Sequence, residues 1–236
     1  MRDFKSLYKE YARDLPETLK YENNYTLGIH LGIIDGKYID INDVLKEPDM
    51  PYKEVIKDLG SALLFPTLAS DNDILSVQLM SLEPENRKRL LLGNKEVPLF
   101  IQYLSPSFRY GEPIILVEGL GDLIGLKLIN PEYNIICMNT SQVNDKLKEL
   151  LKALTDKLIL IPDNDKAGEI GIRVSQNKVK DFATLKVIKQ YEGLKDTGDI
   201  VKLTREYLQD TSDSKLKQEL NNIMTYYETM INLNVE

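Results

Sequence analysis

Pro113-Ile114-Ile115-Leu116-Val117-Glu118-Gly119, with Asp122 just beyond, and Leu158-Ile159-Leu160-Ile161-Pro162-Asp163-Asn164-Asp165, followed by Lys166-Ala167-Gly168, share one pattern. Each is a short unbroken apolar run that ends abruptly in carboxylates. A run of that length bounded by turn residues reads as a strand buried on both faces, as in a parallel sheet. The carboxylates then sit at the carboxyl ends of the strands, where open α/β sheets place their ligand sites.

Outward from these two runs the alternation continues. Strand-like stretches at 114–117, 135–138, 158–161 and 184–189 alternate with helix-like stretches at 120–129, 141–154 and 166–181. That order predicts parallel strands joined by crossover helices. Leu147, Leu150, Leu151 and Leu154 form one apolar helical face. Thr197-Gly198-Asp199 punctuates the chain, and the tail at 200–232 reads as two helices broken around Ser212-Asp213. The stripe Leu216, Leu220, Ile223, Met224 and Tyr227 marks a packing face.

The amino-terminal half is mixed. Phe4, Leu7, Tyr8 and Tyr11 predict an amphipathic helix that stops near Pro16. Residues 26–34 read as a strand, Asp35-Gly36 as a hairpin turn and residues 37–41 as the return strand. His30, the only histidine, would sit in that hairpin as a packed or exposed strand residue. Residues 43–59 read as helical, interrupted by Pro48 and Pro51. Residues 61–110 read as a small β unit with a turn at Asp71-Asn72-Asp73 and the densest basic run of the chain, Glu85-Asn86-Arg87-Lys88-Arg89. That run is either a solvated loop or a phosphate-contacting patch. The expected division is 1–60 (mixed α+β), 61–110 (small β unit with basic loop), 111–199 (the parallel α/β domain) and 200–236 (helical tail).

Composition narrows the function. The 236 residues carry 42% hydrophobic and 28% charged side chains, ordinary values for a globular protein. The net charge of −7 gives no global positive field for nucleic acid or an anionic membrane. Any nucleic-acid contact therefore falls to a local basic patch or to metal ions. The single cysteine, Cys137, excludes intramolecular disulfides and Cys-rich zinc sites; in its apolar run it reads as a buried structural thiol. There is no apolar signal core, and no apolar run approaches the ~18 residues of a membrane span. The expectation is a cytoplasmic protein with no membrane partner.

Asp163 and Asp165 are two residues apart, so an extended backbone points both the same way. With Glu118 from a neighbouring strand, three carboxylates would converge on one crevice and repel each other without a cation. Oxygen ligands favour Mg2+ or Mn2+ over zinc, and ions so held suit phosphoryl transfer. The competing reading stands beside it: Pro-Asp-Asn-Asp is a good turn, and Asp165 can simply cap the helix that starts at Lys166.

Val117-Glu118-Gly119 with Asp122, then Asp163-Asn164-Asp165-Lys166-Ala167-Gly168, resembles the Toprim domain shared by bacterial-type primases, topoisomerases, some nucleases and recombination proteins. Lys195-Asp196-Thr197-Gly198-Asp199 is similar to the Lys-Asp-Pro-x-Asp stretch that follows Toprim in primases. Upstream, Leu64-Phe65-Pro66 through Pro98-Leu99-Phe100 resembles the primase segment before Toprim. The resemblance covers residues 61–200 and points to a primase core rather than a topoisomerase.

It implies that Glu118, Asp163 and Asp165 are catalytic and hold Mg2+ or Mn2+, with Asp122 as a further metal ligand. It also implies that Arg87, Lys88, Arg89, Lys95, Lys166, Lys195, Asp196 and Asp199 contribute to nucleotide or nucleic-acid binding. The implied substrates are nucleoside triphosphates and a single-stranded DNA template. The zinc ribbon and helicase domain of that family are missing, so either another polypeptide, a helicase or a separate template-recognition protein, supplies template recognition, or the protein primes with reduced sequence preference, or it no longer primes. The small size suggests a phage or mobile-element source. Met80 stands about where such primases carry an Arg, and Glu169 where an Arg is common. The alternatives are a Toprim nuclease or recombination factor and a non-catalytic primase-like replication component.

Overall fold

The computed structural model describes residues 4–68, 73–83, 89–93 and 103–235, apart from the side chains of Leu68 and Arg89. The expected turn at 71–73 lies largely outside these residues. The basic loop at 85–88, Lys95 and Pro98-Leu99-Phe100 lie wholly outside them. The chain forms two compact units, Met1–Lys20 with Ile29–Pro98, and Tyr21–Gly28 with Leu99–Glu236.

In the first unit, α1 (Phe4–Ser6) runs into a π-helical turn (Leu7–Tyr11), and Glu17–Leu19 adds a 3-10 turn. The unit boundary falls within α2 (Asn24–His30). Then come β1 (Lys37–Ile39), α3 (Ile41–Lys46), α4 (Lys53–Leu59), β2 (Ala62–Leu68), β3 (Ile74–Ser81) and β4 (Arg89–Gly93). The strands form an antiparallel sheet in the order β1-β2-β3-β4. Because side chains alternate along a strand, Leu64, Val77, Leu79 and Leu92 share a face. They are buried with Leu7, Val44, Ile56 and Leu59 from the helical segments. At about 1.5–3 kcal/mol for each fully buried aliphatic side chain, this cluster is what fixes the strand register. Pro48 and Pro51 separate α3 from α4, as expected from proline's missing N–H. Met80 is buried within β3.

The strand expected at 26–34 is a correction. Residues 24–30 are helical, His30 is the last residue of that helix, and Asp35-Gly36 makes no hairpin. The β-branched composition favoured a strand, but a local cap decides. The Asn23 side-chain oxygen accepts from the N–H groups of Tyr25 and Thr26 (2.9 and 3.0 Å), which satisfies the first orphan donors of a helix. Thr26, Leu27 and Gly28 are then buried. β1 pairs instead with β2.

The second unit is the alternation read from the sequence. In order it contains β5 (Ile114–Val117), α5 (Leu120–Ile129), β6 (Ile135–Cys137), α6 (Asp145–Leu154), β7 (Lys157–Ile161), α7 (Lys166–Val179), β8 (Thr184–Val187), α8 (Gly198–Gln209) and α9 (Ser214–Val235). The four strands are parallel, ordered β6-β5-β7-β8. Every residue of β5 is buried, as are the four residues Leu158–Ile161 of β7; helix-covered parallel strands show that continuous burial. Cys137 is buried in β6. No described helix is long and apolar enough to cross a membrane.

The strand order places the site. From β5 the chain leaves for β6 on one side; from β7 it leaves for β8 on the other. The adjacent carboxyl ends of β5 and β7 are therefore a topological switch point, where the departing connections diverge and leave a crevice.

Candidate metal centre

Four chain segments meet at that crevice. β5 delivers Glu118, and the first turn of α5 delivers Asp122. β7 delivers Pro162-Asp163-Asn164-Asp165, and the loop before α8 delivers Lys195 and Asp196. Asp122, Asp163 and Asp196 each offer a carboxylate oxygen, all within 4.8 Å of one another.

Asp122 is buried with a relative exposure of 6%. One oxygen accepts the Gly119 N–H at 2.8 Å, which ties the start of α5 to the end of β5. The other accepts from Thr197 Oγ1 and from the Gly198 N–H, both at 3.1 Å. The Asn24 side-chain amide donates to the Gly198 carbonyl at 3.1 Å, so α2 braces the same loop. Burial above all, then the nearby charges of Asp196 and Asp163, push the Asp122 carboxyl up to about 7 against the pull of its two backbone donors.

Asp163 is half-buried. Burial first and Asp196 second raise its pKa, while Lys195 pulls the other way. Glu118 accepts the Asp163 N–H at 3.3 Å. Its pKa is raised by burial, then by Asp163, with a smaller push from Asp165. Lys195 Nζ lies 3.4 Å from Asp163 Oδ2 and 3.4 Å from Asp196 Oδ2. Burial pulls its ammonium down, but the two aspartates outweigh that and leave its pKa raised.

Two glycines permit the approach. A Cβ at Gly168 would overlap the Asp163 carbonyl, and one at Gly125 would overlap the Thr197 carbonyl. The loops carrying Asp163 and Asp196 are also joined directly, by the Asn164 N–H to the Lys195 carbonyl at 2.8 Å. From behind, Gln190 Nε2 donates to the Pro162 carbonyl at 2.7 Å, and Tyr227 of α9 hydrogen-bonds Gln190.

The fit to a hard cation is favourable. Three carboxylate oxygens within 4.8 Å of one another make an all-oxygen donor set of the kind Mg2+ or Mn2+ takes. Without a cation, three full charges at 4.8 Å would repel by on the order of 3 kcal/mol per pair at an effective dielectric of about 20. The raised pKa values of Asp122, Asp163 and Glu118 express that repulsion together with burial, and Lys195 offsets part of it.

The expected site residues distribute as follows. Glu118, Asp122 and Asp163 come together at the crevice. Asp196, expected as a nucleotide-side residue and a lesser acidic contributor, joins the tight cluster. Asp165 caps α7, its Oδ1 accepting the N–H groups of Ala167 and Gly168 at 2.9 Å. Asp199 reaches back to the Lys195 N–H at 2.9 Å. Lys166 is exposed at the first position of α7. Arg89 lies on β4 with its side chain outside the described residues; Arg87, Lys88 and Lys95 lie outside them entirely. Sequence reasoning missed Thr197, Gln190 and Tyr227. Only Thr197, next to Asp196 at the start of α8, carried a signal.

Residues 115–201, which hold most of the switch-point sheet and its helices, match the Toprim-like family. Around them the chain has the fold of primase catalytic cores. It is similar to the DnaG catalytic core (TM-score 0.53, 13% identity, 81% of this chain and 77% of that one). It is also similar to a DnaG primase catalytic domain bound to ssDNA (0.52, 14%, 81% and 66%). The Aquifex aeolicus primase, comprising zinc-binding and RNA polymerase domains, is a further likeness (0.52, 15%, 86% and 54%). The chain thus spans less than two thirds of the last two chains. No curated protein matches it in sequence.

Proposed function

We propose that the chain is a primase-like nucleotidyltransferase core that makes short RNA primers on single-stranded DNA. The observation that carries this reading is the convergence of Asp122, Asp163 and Asp196 within 4.8 Å at the crevice beyond β5 and β7. The likeness to primase cores supports it. In this reading Asp122, Asp163, Asp196 and Glu118 hold Mg2+ or Mn2+ through oxygen alone, with Asp165 beside them. When bound, such an ion supplies neutralisation and orientation of triphosphate oxygens.

The protein's own contributions follow from the geometry. Thr197 and Gly198 fix the Asp122 carboxylate in one rotamer, and Gln190 fixes the backbone just before Asp163. Lys195, which bridges Asp163 and Asp196, and Lys166, exposed at the start of α7, are the proposed phosphate contacts. Arg87, Lys88, Arg89 and Lys95 are the proposed contacts to template or triphosphate. The primer 3′-hydroxyl attacks the α-phosphate of the incoming nucleotide, and pyrophosphate leaves. A helicase or a separate template-recognition protein is the proposed partner.

The test is oligoribonucleotide synthesis on single-stranded DNA with Mg2+ or Mn2+, comparing wild type with Glu118→Ala and Asp163→Ala. Loss of synthesis in both variants is expected, and undiminished synthesis in both removes the mechanism. Degradation of DNA with Mn2+ and no nucleotides, without synthesis, moves the site to a nuclease or recombination role.

A further inference from the structure

Lys195 stands where a cation is needed. Its ammonium bridges Asp163 and Asp196 at 3.4 Å each, two of the three clustered aspartates. Its backbone is pinned on both sides: the N–H donates to Asp199 Oδ2 at 2.9 Å, and the carbonyl accepts the Asn164 N–H at 2.8 Å. Its side chain is 63% exposed. A fixed root with a solvent-facing stem lets the charged head leave without moving the loop. A hard divalent ion requires the same carboxylate oxygens, and two cations sharing them would repel.

We propose that Lys195 is a displaceable counter-ion. It neutralises the aspartate cluster while no metal is present and yields it when a divalent cation enters. The released ammonium then turns towards the anionic substrate. This inference rests on the metal-binding reading above and adds a competitor to it. Entry of the ion and presentation of Lys195 to a triphosphate become one coupled event, because the same side chain takes part in both. Partly exposed ion pairs are individually weak, so the competition is worth about threefold to tenfold in metal affinity rather than orders of magnitude.

The experiment titrates Mn2+ calorimetrically into the full chain as wild type, Lys195→Gln and Lys195→Arg. Thermal unfolding of each is followed in EDTA and at saturating Mn2+. The expected result is that Lys195→Gln binds Mn2+ about threefold to tenfold more tightly than wild type. It should also unfold at a lower temperature in EDTA and gain more from Mn2+. Lys195→Arg, which keeps the charge, should behave as wild type. If wild type and Lys195→Gln bind Mn2+ equally, or the variant binds more weakly, the counter-ion role is overturned while the metal site stands. If wild type does not bind Mn2+, the metal reading fails and this inference falls with it.

Discussion

Replacing Asp122 by asparagine isolates the electrostatic cost of the carboxylate cluster. The Asp122 carboxyl rises from an ordinary 3.8 to about 7 in the folded protein. A raised folded-state pKa means that the native state holds the proton more tightly than the unfolded chain does. Its contribution to stability is therefore complete below pH ~4 and is lost as pH climbs through ~7. Between pH 5.5 and 8.0 these values imply a loss of about 2 kcal/mol from this one group. Glu118 and Asp163, also raised, act in the same direction. The carboxylates whose pKa is lowered by lysine partners, such as Asp14 and Asp73, act oppositely but only in more acid solution, so this window separates the two. Urea unfolding in EDTA at both pH values is the assay. Wild type should be less stable at pH 8.0, and Asp122→Asn should lose clearly less between the two. The amide also faces one donor with another, at Gly119 or at Thr197 and Gly198, costing about 1–3 kcal/mol at either pH. The readout is therefore the pH dependence and not the absolute stability. A wild type equally stable at both values, or a variant with the same drop, would refute the electrostatic reading.

Two further substitutions test how the site is built. Gly125→Ala pushes a methyl group into the Thr197 carbonyl and should destabilise by about 1–3 kcal/mol; an unchanged thermal midpoint would contradict the close packing of α5 against the Asp196 loop. Tyr227→Phe removes the hydroxyl that bonds Gln190 and accepts the Tyr191 N–H at 3.1 Å. With Tyr227 fully buried, the loss should be about 1–3 kcal/mol in denaturant unfolding. A neutral result would mean that α9 does not brace the Pro162 turn.

The parallel domain was legible because its signal is periodic and local. Ile114–Val117 and Leu158–Ile161 are too apolar and too short for anything but buried strands, and each stops at a carboxylate. The fate of residues 26–34 was not legible, because Asn23 capping and burial of Leu27 outweigh the strand preference of β-branched residues. Within the candidate site, Glu118 and Asp163 were legible because they come just after strands, and Asp122 because it lies one turn further on. Asp165 illustrates the limit of spacing: the Asp-Asn-Asp pattern offers two carboxylates, and the onset of α7 takes one as its cap. Asp196 could be placed in the cluster only by knowing that the loop before α8 returns to the β5 and β7 tips. That return depends on Gly125 and on hydrogen bonds from Thr197 and Asn24, contacts between residues far apart in sequence.

The central claim is that Asp122, Asp163 and Asp196 form a site for one hard divalent cation. Crystals of the protein grown or soaked with Mn2+ test it most directly through the anomalous signal of the ion. The account predicts a peak among these three carboxylates, with Lys195 moved off Asp163 and Asp196. An ordered, cation-free cluster at saturating Mn2+, or a peak only elsewhere, would contradict it.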